Sequence, residues 1–213
     1  MPLSDQARIS ELVVGGRAQN WALIGIAFDL NHCAALGDVA LRLDTSLEPG
    51  LHSWVLQDAD VNVASIDGVA TSHAIGVSQI VASVQPDFDL GVIGVDHVVI
   101  NTPDLMRTSD ALTAATGAPL KRVREAGNDV QQGFHRLGSV VVEIVTSPTM
   151  PQGVASLWGF VLNVKDIYAV ANHVGPDVLS IPKPAVQAGK LIATFRSSVG
   201  LGVPVALMGQ VAN

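Results

Sequence analysis

Two stretches of the chain repeat one strand-and-helix pattern, and this repeat constrains the fold more than any other feature. The stretches are VDHVVINTPDLMRTSDALTAATG, which starts at Val95, and LWGFVLNVKDIYAVANHVG, which starts at Leu157. Each opens with an apolar run typical of a strand and continues with apolar residues at helical spacing. Asp104 and Asp166 stand at the N-cap positions of the two helices, and a glycine follows each helix. The repeat therefore predicts an internally duplicated α+β fold.

Three short strand-like segments follow each predicted helix. The segments are Leu120–Glu125, Gln132–Leu137 and Val140–Val145 in the first copy, and Leu179–Lys183, Leu191–Ser197 and Val203–Met208 in the second. Glycine, asparagine and aspartate at the breaks are typical of hairpin turns. Each copy is thus predicted to be a βαβββ module, and the two modules span residues 94–147 and 156–208.

A weaker third copy precedes these two modules. It is predicted to contain strands at Ile9–Val14, Ala27–Leu30, Val39–Leu43 and Ser53–Leu56, with a short helix at Ala18–Ile24. Asp, Ser, Gly, Gln and Pro interrupt the next segment, to about Gly91, which is interpreted as a connection with at most one strand. The predicted organisation is a degenerate module plus connection over residues 1–90 and a pair of modules over residues 91–213.

Composition and charge exclude several classes of function. The formal net charge of -7 leaves no basic field to attract phosphate backbones, so nucleic acid is not an expected partner. No membrane span and no secretory signal segment are visible, which predicts a cytoplasmic protein. Because 48% of the residues are hydrophobic and only 15% are charged, a second copy is expected to cover apolar surface, and a homodimer is predicted. Cys33 is the only cysteine, which excludes an intrachain disulfide and a thiolate zinc cluster.

The run GVDHVVINTPDL resembles the opening strand and helix cap of vicinal-oxygen-chelate proteins, the superfamily of glyoxalases, bleomycin-resistance proteins and certain dioxygenases. The run GSVVVEIVTSP resembles the closing strand of that family's module, which carries a central glutamate. The resemblance implies curved mixed sheets that form an incomplete barrel around a divalent metal. It places His97 and Glu143 at the first-strand and fourth-strand ligand positions. Imidazole and carboxylate would suit Fe, Mn, Ni or Zn, with substrate oxygens completing the shell.

The sequence departs from the family pattern in its second module. Alignment of the modules puts Gly159 opposite His97, and it puts Ala206 opposite Glu143, or Val205 if the register slips by one residue. The ligand set implied by the resemblance is therefore incomplete. Three interpretations of His97 and Glu143 stay open: a metal site with further ligands, a polar pocket for an organic molecule without metal, and a structural pair.

Four other residues are candidates for this site. Glu11 and His52 of the amino-terminal copy would complete the metal shell if that copy supplied the other half. His135 is a candidate general base or third ligand if it lies beside Glu143, although a solvent-exposed position is the commoner outcome. Arg196 follows a cationic segment and is a candidate to hold a substrate carboxylate or phosphate, the alternative being a solvated hairpin.

The sequence predicts a glyoxalase-like protein that binds a small polar organic molecule in a concave cavity. One hypothesis is a metal-dependent lyase, isomerase or dioxygenase, with His97 and Glu143 as ligands and His135 or Arg196 assisting. The alternative is a metal-free binding or sequestering protein of the bleomycin-resistance type. The third hypothesis is an oligomeric scaffold whose outer surface, and not its cavity, is functional. Whether the protein is an enzyme is left open at this point.

Overall fold

The computed structural model describes residues 7–59, 63–74 and 88–211. Its strands are β1 (Arg8–Gly15), β2 (Cys33–Leu36), β3 (Val39–Asp44), β4 (Gly50–Gln57), β5 (Ser65–Ile66), β6 (Val69–Ala74), β7 (Val92–Asn101), β8 (Arg122–Glu125), β9 (Gln131–Leu137), β10 (Val140–Thr146), β11 (Ser156–Val164), β12 (Lys183–Pro184), β13 (Lys190–Thr194) and β14 (Val205–Gln210). Its helices are α1 (Ala18–Ala22), α2 (Leu105–Thr116) and α3 (Ile167–Val174), with a single 3-10 turn at Ser197–Val199. Within these described ranges no helix combines the length and the apolarity that crossing a bilayer requires.

Both predicted βαβββ modules are present. The first is β7-α2-β8-β9-β10, with strand order β7-β10-β9-β8, and the second is β11-α3-β12-β13-β14, with strand order β11-β14-β13-β12. In each module the first and last strands pair in parallel and the other neighbours pair antiparallel. These mixed strand orders do not close into a barrel, and the predicted α+β class is confirmed.

The chain forms two compact units, each assembled from separate stretches. Unit 1 comprises Met1–Leu12, His52–Ser78 and His97–Gly159, and unit 2 comprises Val13–Leu51, Gln79–Asp96 and Phe160–Asn213. Unit 1 holds most of the first module together with the strands β4, β5 and β6. Unit 2 holds most of the second module together with β2, β3 and α1. The domain boundary predicted near residue 90 stays a prediction.

The helices α2 and α3 begin and end as predicted. The side chain of Asp104 accepts a hydrogen bond from the backbone N–H of Arg107 at 3.0 Å, and Asp166 accepts one from Ala169 at 2.9 Å. Gly117 ends α2 with φ of 69°, a left-handed conformation that costs glycine little. The buried apolar residues of the two helices are Leu105, Leu112, Ala115, Ile167 and Val170. They face β9 and β10 in unit 1 and β13 and β14 in unit 2.

The strand predicted at Ala27–Leu30 is wrong, because a turn occupies this segment and the strand starts at Cys33. The Oδ1 atom of Asp29 accepts hydrogen bonds from the backbone N–H groups of Asn31 and Cys33, both at 2.8 Å. An aspartate that caps its own following residues in this way competes with strand pairing. The apolar Ala27 and Leu30 are therefore not part of a ladder, and a turn begins at Leu30.

The segment predicted as a connection contains the hairpin β5–β6, whose turn is Asp67-Gly68. Both turn residues have positive φ, 48° and 95°, as a two-residue hairpin turn requires. The predicted strand at Leu179–Lys183 is reduced to one bridge at Leu179 and the two residues of β12. Residues 60–62 and 75–87 of the predicted connection lie outside the described part of the chain.

Candidate functional site

The register of unit 1 places His97 and Glu143 on one face of the sheet β7-β10-β9-β8. The ladder pairs His97 with Val141, and alternation along β10 puts Val141 and Glu143 on the same face. The residues that alternate with them on β10, Val142 and Ile144, are fully buried on the other face. Because α2 contacts β9 and β10, that buried face is the helix-covered one. His97 and Glu143 therefore lie on the face that α2 does not cover.

The imidazole and the carboxylate converge at the centre of this face. The Nε2 atom of His97 lies 3.6 Å from the Oε2 atom of Glu143, and their side chains are 14% and 13% exposed. The other carboxylate oxygen, Oε1, accepts a hydrogen bond from Nε2 of Gln132 at 2.5 Å. A carboxylate this far out of water needs such donors, because an unpartnered buried charge is costly. Glu143 is thus held on one oxygen and approached, but not hydrogen-bonded, by His97 on the other.

Gln132 links the carboxylate to Arg124, which shares a ring contact with Arg122. Its Oε1 atom accepts hydrogen bonds from Nε of Arg124, at 2.9 Å, and from Nη2 of the same guanidinium. The guanidinium carbons of Arg122 and Arg124 lie 4.5 Å and 5.5 Å from the ring centroid of Phe134. Phe134 is the ladder partner of both Glu143 and Arg122. Contacts to the ring and the amide therefore hold both guanidiniums in place.

These side chains form one continuous cluster, which we call the polar face of unit 1. Its members are His97, Glu143, Gln132, Phe134, Arg122 and Arg124. It combines a proton acceptor, an imidazole and two cations on four adjacent strands. Such a surface can bind a polar organic molecule by hydrogen bonds and charge, and its carboxylate can accept a proton from a bound hydroxyl.

The structure places His135 on the opposite face of β9. It is 1% exposed and lies beneath α2, where its Nδ1 atom is 3.0 Å from the carbonyl oxygen of Ala118 and its Nε2 atom is 2.9 Å from Oγ of Ser109. Only Nδ1–H can donate to the carbonyl, so Nε2 accepts from the serine hydroxyl in the neutral imidazole. The geometry does not bring His135 to Glu143, and its contacts fix α2 and the following loop to the sheet.

Burial lowers the pKa of His135, and the hydrogen bond to the Ala118 carbonyl opposes this only in part. The unfolded chain therefore takes up a proton at this position at higher pH than the folded chain. The stability contributed by neutral His135 is present above a pH of about 6.5 and falls as the pH drops below it. We expect the melting temperature of the wild type to fall more between about pH 8 and about pH 5 than that of His135→Gln, which cannot titrate. Equal pH slopes in the two proteins would contradict the assignment.

Arg196 is exposed on unit 2, where its Nε atom donates to the carbonyl oxygen of Pro176 at 3.3 Å. It is not a member of the polar face of unit 1. The register also places Ala206 where the first module has Glu143, because β14 pairs Ala206 with Val161 as β10 pairs Glu143 with its own first-strand partner. The second module thus offers an alanine at the fourth-strand ligand position.

The metal shell implied by the resemblance is not assembled. Within residues 7–59, 63–74 and 88–211, no group of three or more His, Cys, Asp or Glu side chains is arranged to hold a metal ion. Glu11 and His52 therefore do not complete a shell with His97 and Glu143. A catalytic zinc ordinarily takes three protein ligands, so the His, Cys, Asp and Glu side chains of the described residues do not fit a resident metal of this kind.

Sequence reasoning missed the other members of the polar face. Gln132, Arg122 and Arg124 were predicted only as strand residues. The signal that could have found them is alternation: Arg122 and Arg124 share one face of β8, and Gln132 and Phe134 share one face of the neighbouring β9. Which of those faces also carries Glu143 depends on the antiparallel register between β9 and β10.

No protein-family model and no curated protein matches this chain. Several solved structures are similar to it. Methylmalonyl-CoA epimerase from Mycobacterium tuberculosis is 15% identical with a TM-score of 0.47, over 57% of this chain and 91% of that one. A second methylmalonyl-CoA epimerase is 20% identical with a TM-score of 0.47, over 59% and 100%. A hypothetical protein from Bacillus halodurans C-125 is 14% identical with a TM-score of 0.46, over 56% and 95%.

The activities in those names belong to the named proteins. What this chain shows by itself is the order and register of its βαβββ modules. The predicted pair of βαβββ modules is confirmed, and this is the fold that the resemblance to the vicinal-oxygen-chelate superfamily implies.

Proposed function

We propose that this protein binds a small polar organic molecule at the polar face of unit 1 without a resident metal ion. The observation that carries the proposal is the 3.6 Å between Nε2 of His97 and Oε2 of Glu143. This separation is too long for a hydrogen bond, and both groups are largely withdrawn from water. A ligand hydroxyl that donates to Oε2 would supply a hydrogen bond that the described residues do not give this oxygen.

The donor set supports an organic ligand over a metal. Oε1 of Glu143 is already engaged by Gln132, and the described residues add only the imidazole as a further ligand atom. A metal-dependent lyase, isomerase or dioxygenase would need ligands that these residues do not provide. The metal-free binding protein of the bleomycin-resistance type is therefore the version of the prediction that we adopt.

Thermal unfolding of the whole chain against a panel of small hydroxylated metabolites tests the proposal. A ligand that binds the native state, present at a concentration of about one hundred times its Kd, should raise the free energy of unfolding by about 2.7 kcal/mol. We expect at least one compound to raise the melting temperature, to the same extent with and without EDTA. Glu143→Gln should reduce the shift, because the neutral amide presents a donor or a weaker acceptor at the position of Oε2.

Glu125→Gln is the matched control, since Glu125 also accepts a hydrogen bond from a neighbouring glutamine, Gln131, at 2.8 Å, but lies exposed outside the polar face. This variant should respond to the ligand as the wild type does. Elemental analysis of protein purified without chelator completes the test. One equivalent of metal that disappears in His97→Ala would overturn the metal-free proposal, as would a ligand shift abolished by EDTA.

The predicted homodimer and the predicted cytoplasmic location stay predictions. Sedimentation equilibrium of the purified chain checks the first, because a dimer doubles the apparent mass.

A further inference from the structure

The two arginines of the polar face contact an aromatic ring and not a carboxylate within the described part of the chain. The sequence contains 12 Lys and Arg against 19 Asp and Glu, so carboxylates are available in excess. Ion pairs among the described residues include those of Arg8, Arg107 and Lys190 with aspartates, and that of His97 with Glu143. Within that part of the chain neither Arg122 nor Arg124 has a carboxylate partner. Their positive charges are therefore unneutralised beside a half-buried carboxylate.

The guanidinium groups of these arginines are restrained by contacts that leave some of their N–H groups without a hydrogen bond to the described residues. Arg124 donates hydrogen bonds to Oε1 of Gln132. Arg122 stacks on the ring of Phe134 and has no hydrogen bond to the described protein atoms. A guanidinium is a planar fork that matches the two oxygens of a carboxylate. Stacking on the ring restricts the guanidinium of Arg122 in advance, which lowers the entropy lost when an anion binds.

The ladder fixes the separation of the strands that carry the cationic and the acidic residues. Glu143 pairs with Phe134, and Phe134 pairs with Arg122, so the three residues lie in one row across β10, β9 and β8. Neighbouring strands are about 4.8 Å apart, which puts the backbones of Glu143 and Arg122 about 10 Å apart. A molecule that reaches both ends must be elongated, with its anionic group at one end and a hydrogen-bond donor at the other.

We infer that the ligand of the polar face is an elongated organic carboxylate, which binds Arg122 and Arg124 through its carboxylate and Glu143 through a distal hydroxyl. The inference rests on the proposed function and adds the chemical class of the ligand. It requires no covalent step and no metal.

NMR titration of the full chain with 8-hydroxyoctanoate as the probe tests this class. Its uncharged amide and the short hydroxy acid glycolate are the comparison compounds. We expect the carboxylate to bind about tenfold more tightly than the amide, since a charge-assisted pair contributes more than 1 kcal/mol. Glycolate should bind more weakly than the probe, because it cannot span the row.

Arg122→Gln should abolish the preference for the carboxylate over the amide. Arg136→Gln is the matched control, since Arg136 is an exposed arginine on the same face of β9 that donates to the carbonyl of Ser139 and has no contact with Phe134. This variant should keep the preference. Equal binding of carboxylate and amide, binding of neither, or loss of the preference in Arg136→Gln but not in Arg122→Gln would overturn the inference.

Glu143→Gln separates the inference from the proposed function. It should weaken the binding of the carboxylate and the amide alike and leave the preference between them intact. If Glu143→Gln binds both compounds as the wild type does while Arg122→Gln loses the preference, the anion site stands and the proposed role of Glu143 fails. If Glu143→Gln weakens binding and Arg122→Gln changes nothing, the proposed function stands and the carboxylate class fails.

Discussion

Asp67→Ala is expected to lower the free energy of unfolding of the protein by about 2–4 kcal/mol, because it breaks a partly buried ion pair and leaves its partners unsatisfied. The carboxylate of Asp67 is bound by Arg107 through Nε at 2.9 Å and Nη2 at 3.1 Å. Its Oδ2 atom also accepts from the hydroxyl of Thr108 at 2.5 Å. Asp67 therefore ties the β5–β6 turn to the first turn of α2. Urea unfolding followed by circular dichroism measures the change.

Asp58→Ala is the matched control for Asp67→Ala. Asp58 also pairs with an arginine, Arg8, but at 3.4 Å and with side chains that are 43% and 34% exposed. The side chain of Asp67 is only 10% exposed. Exposed ion pairs contribute less than about 1 kcal/mol, so Asp58→Ala should change the stability little. Equal losses in the two variants would show that burial and the bidentate geometry of Asp67 do not matter.

Asp96→Ala should cost about 3–5 kcal/mol, the largest loss that we expect, because it removes the partner of a cation inside unit 2. The Oδ1 atom of Asp96 accepts from Nζ of Lys190 and from Nδ2 of Asn163, both at 3.0 Å, and Gln187 approaches Oδ2 at 3.4 Å. The side chain of Asp96 is 8% exposed and that of Lys190 is 22% exposed. Without the carboxylate, the ammonium keeps only the Oδ1 atom of Asn163, at 3.3 Å. Thermal and urea unfolding both measure the loss.

The double variant Asp96→Leu/Lys190→Met tests the reason for that loss. It removes both charges and replaces them with apolar side chains of similar size, which often restores stability at buried ion pairs. Its stability should lie between those of the wild type and Asp96→Ala. A double variant less stable than Asp96→Ala would show that hydrogen bonds to Asn163 and Gln187, and not the uncompensated charge, account for the loss.

The parts of the fold that the sequence predicts well are those specified by neighbouring residues. An aspartate cap, an apolar stripe and a terminal glycine lie within one segment, so α2 and α3 could be placed between Asp104 and Gly117 and between Asp166 and Gly175. The strands of the first module follow from alternation in the same way, whereas the strand predicted at Leu179–Lys183 in the second module does not. The family resemblance also predicted that His97 and Glu143 converge, because it places them at the first-strand and fourth-strand ligand positions.

The missed features have two different causes. The Asp67-Gly68 turn carries a strong local hairpin signal, but the strand before it has only two residues and polar neighbours obscure the pattern. Arg122, Phe134 and Gln132 meet through ladder contacts, so their association depends on registers that no single segment encodes. His135 was assigned to the correct strand. Its burial depends on the packing of α2 over β9, where the hydroxyl of Ser109 is hydrogen-bonded to its ring.

The packing around Ala206 limits which side chains the second module can accept at this position. Ala206 lies in a buried cluster with Val161 and Met208, against which Ala185 and Ile192 also pack. A glutamate introduced at this position would meet methyl groups and a thioether where Glu143 meets an amide and an imidazole, so it would be desolvated without a donor. A carboxylate ligand at this position would therefore also need a hydrogen-bond donor, introduced by a further substitution in the same cluster.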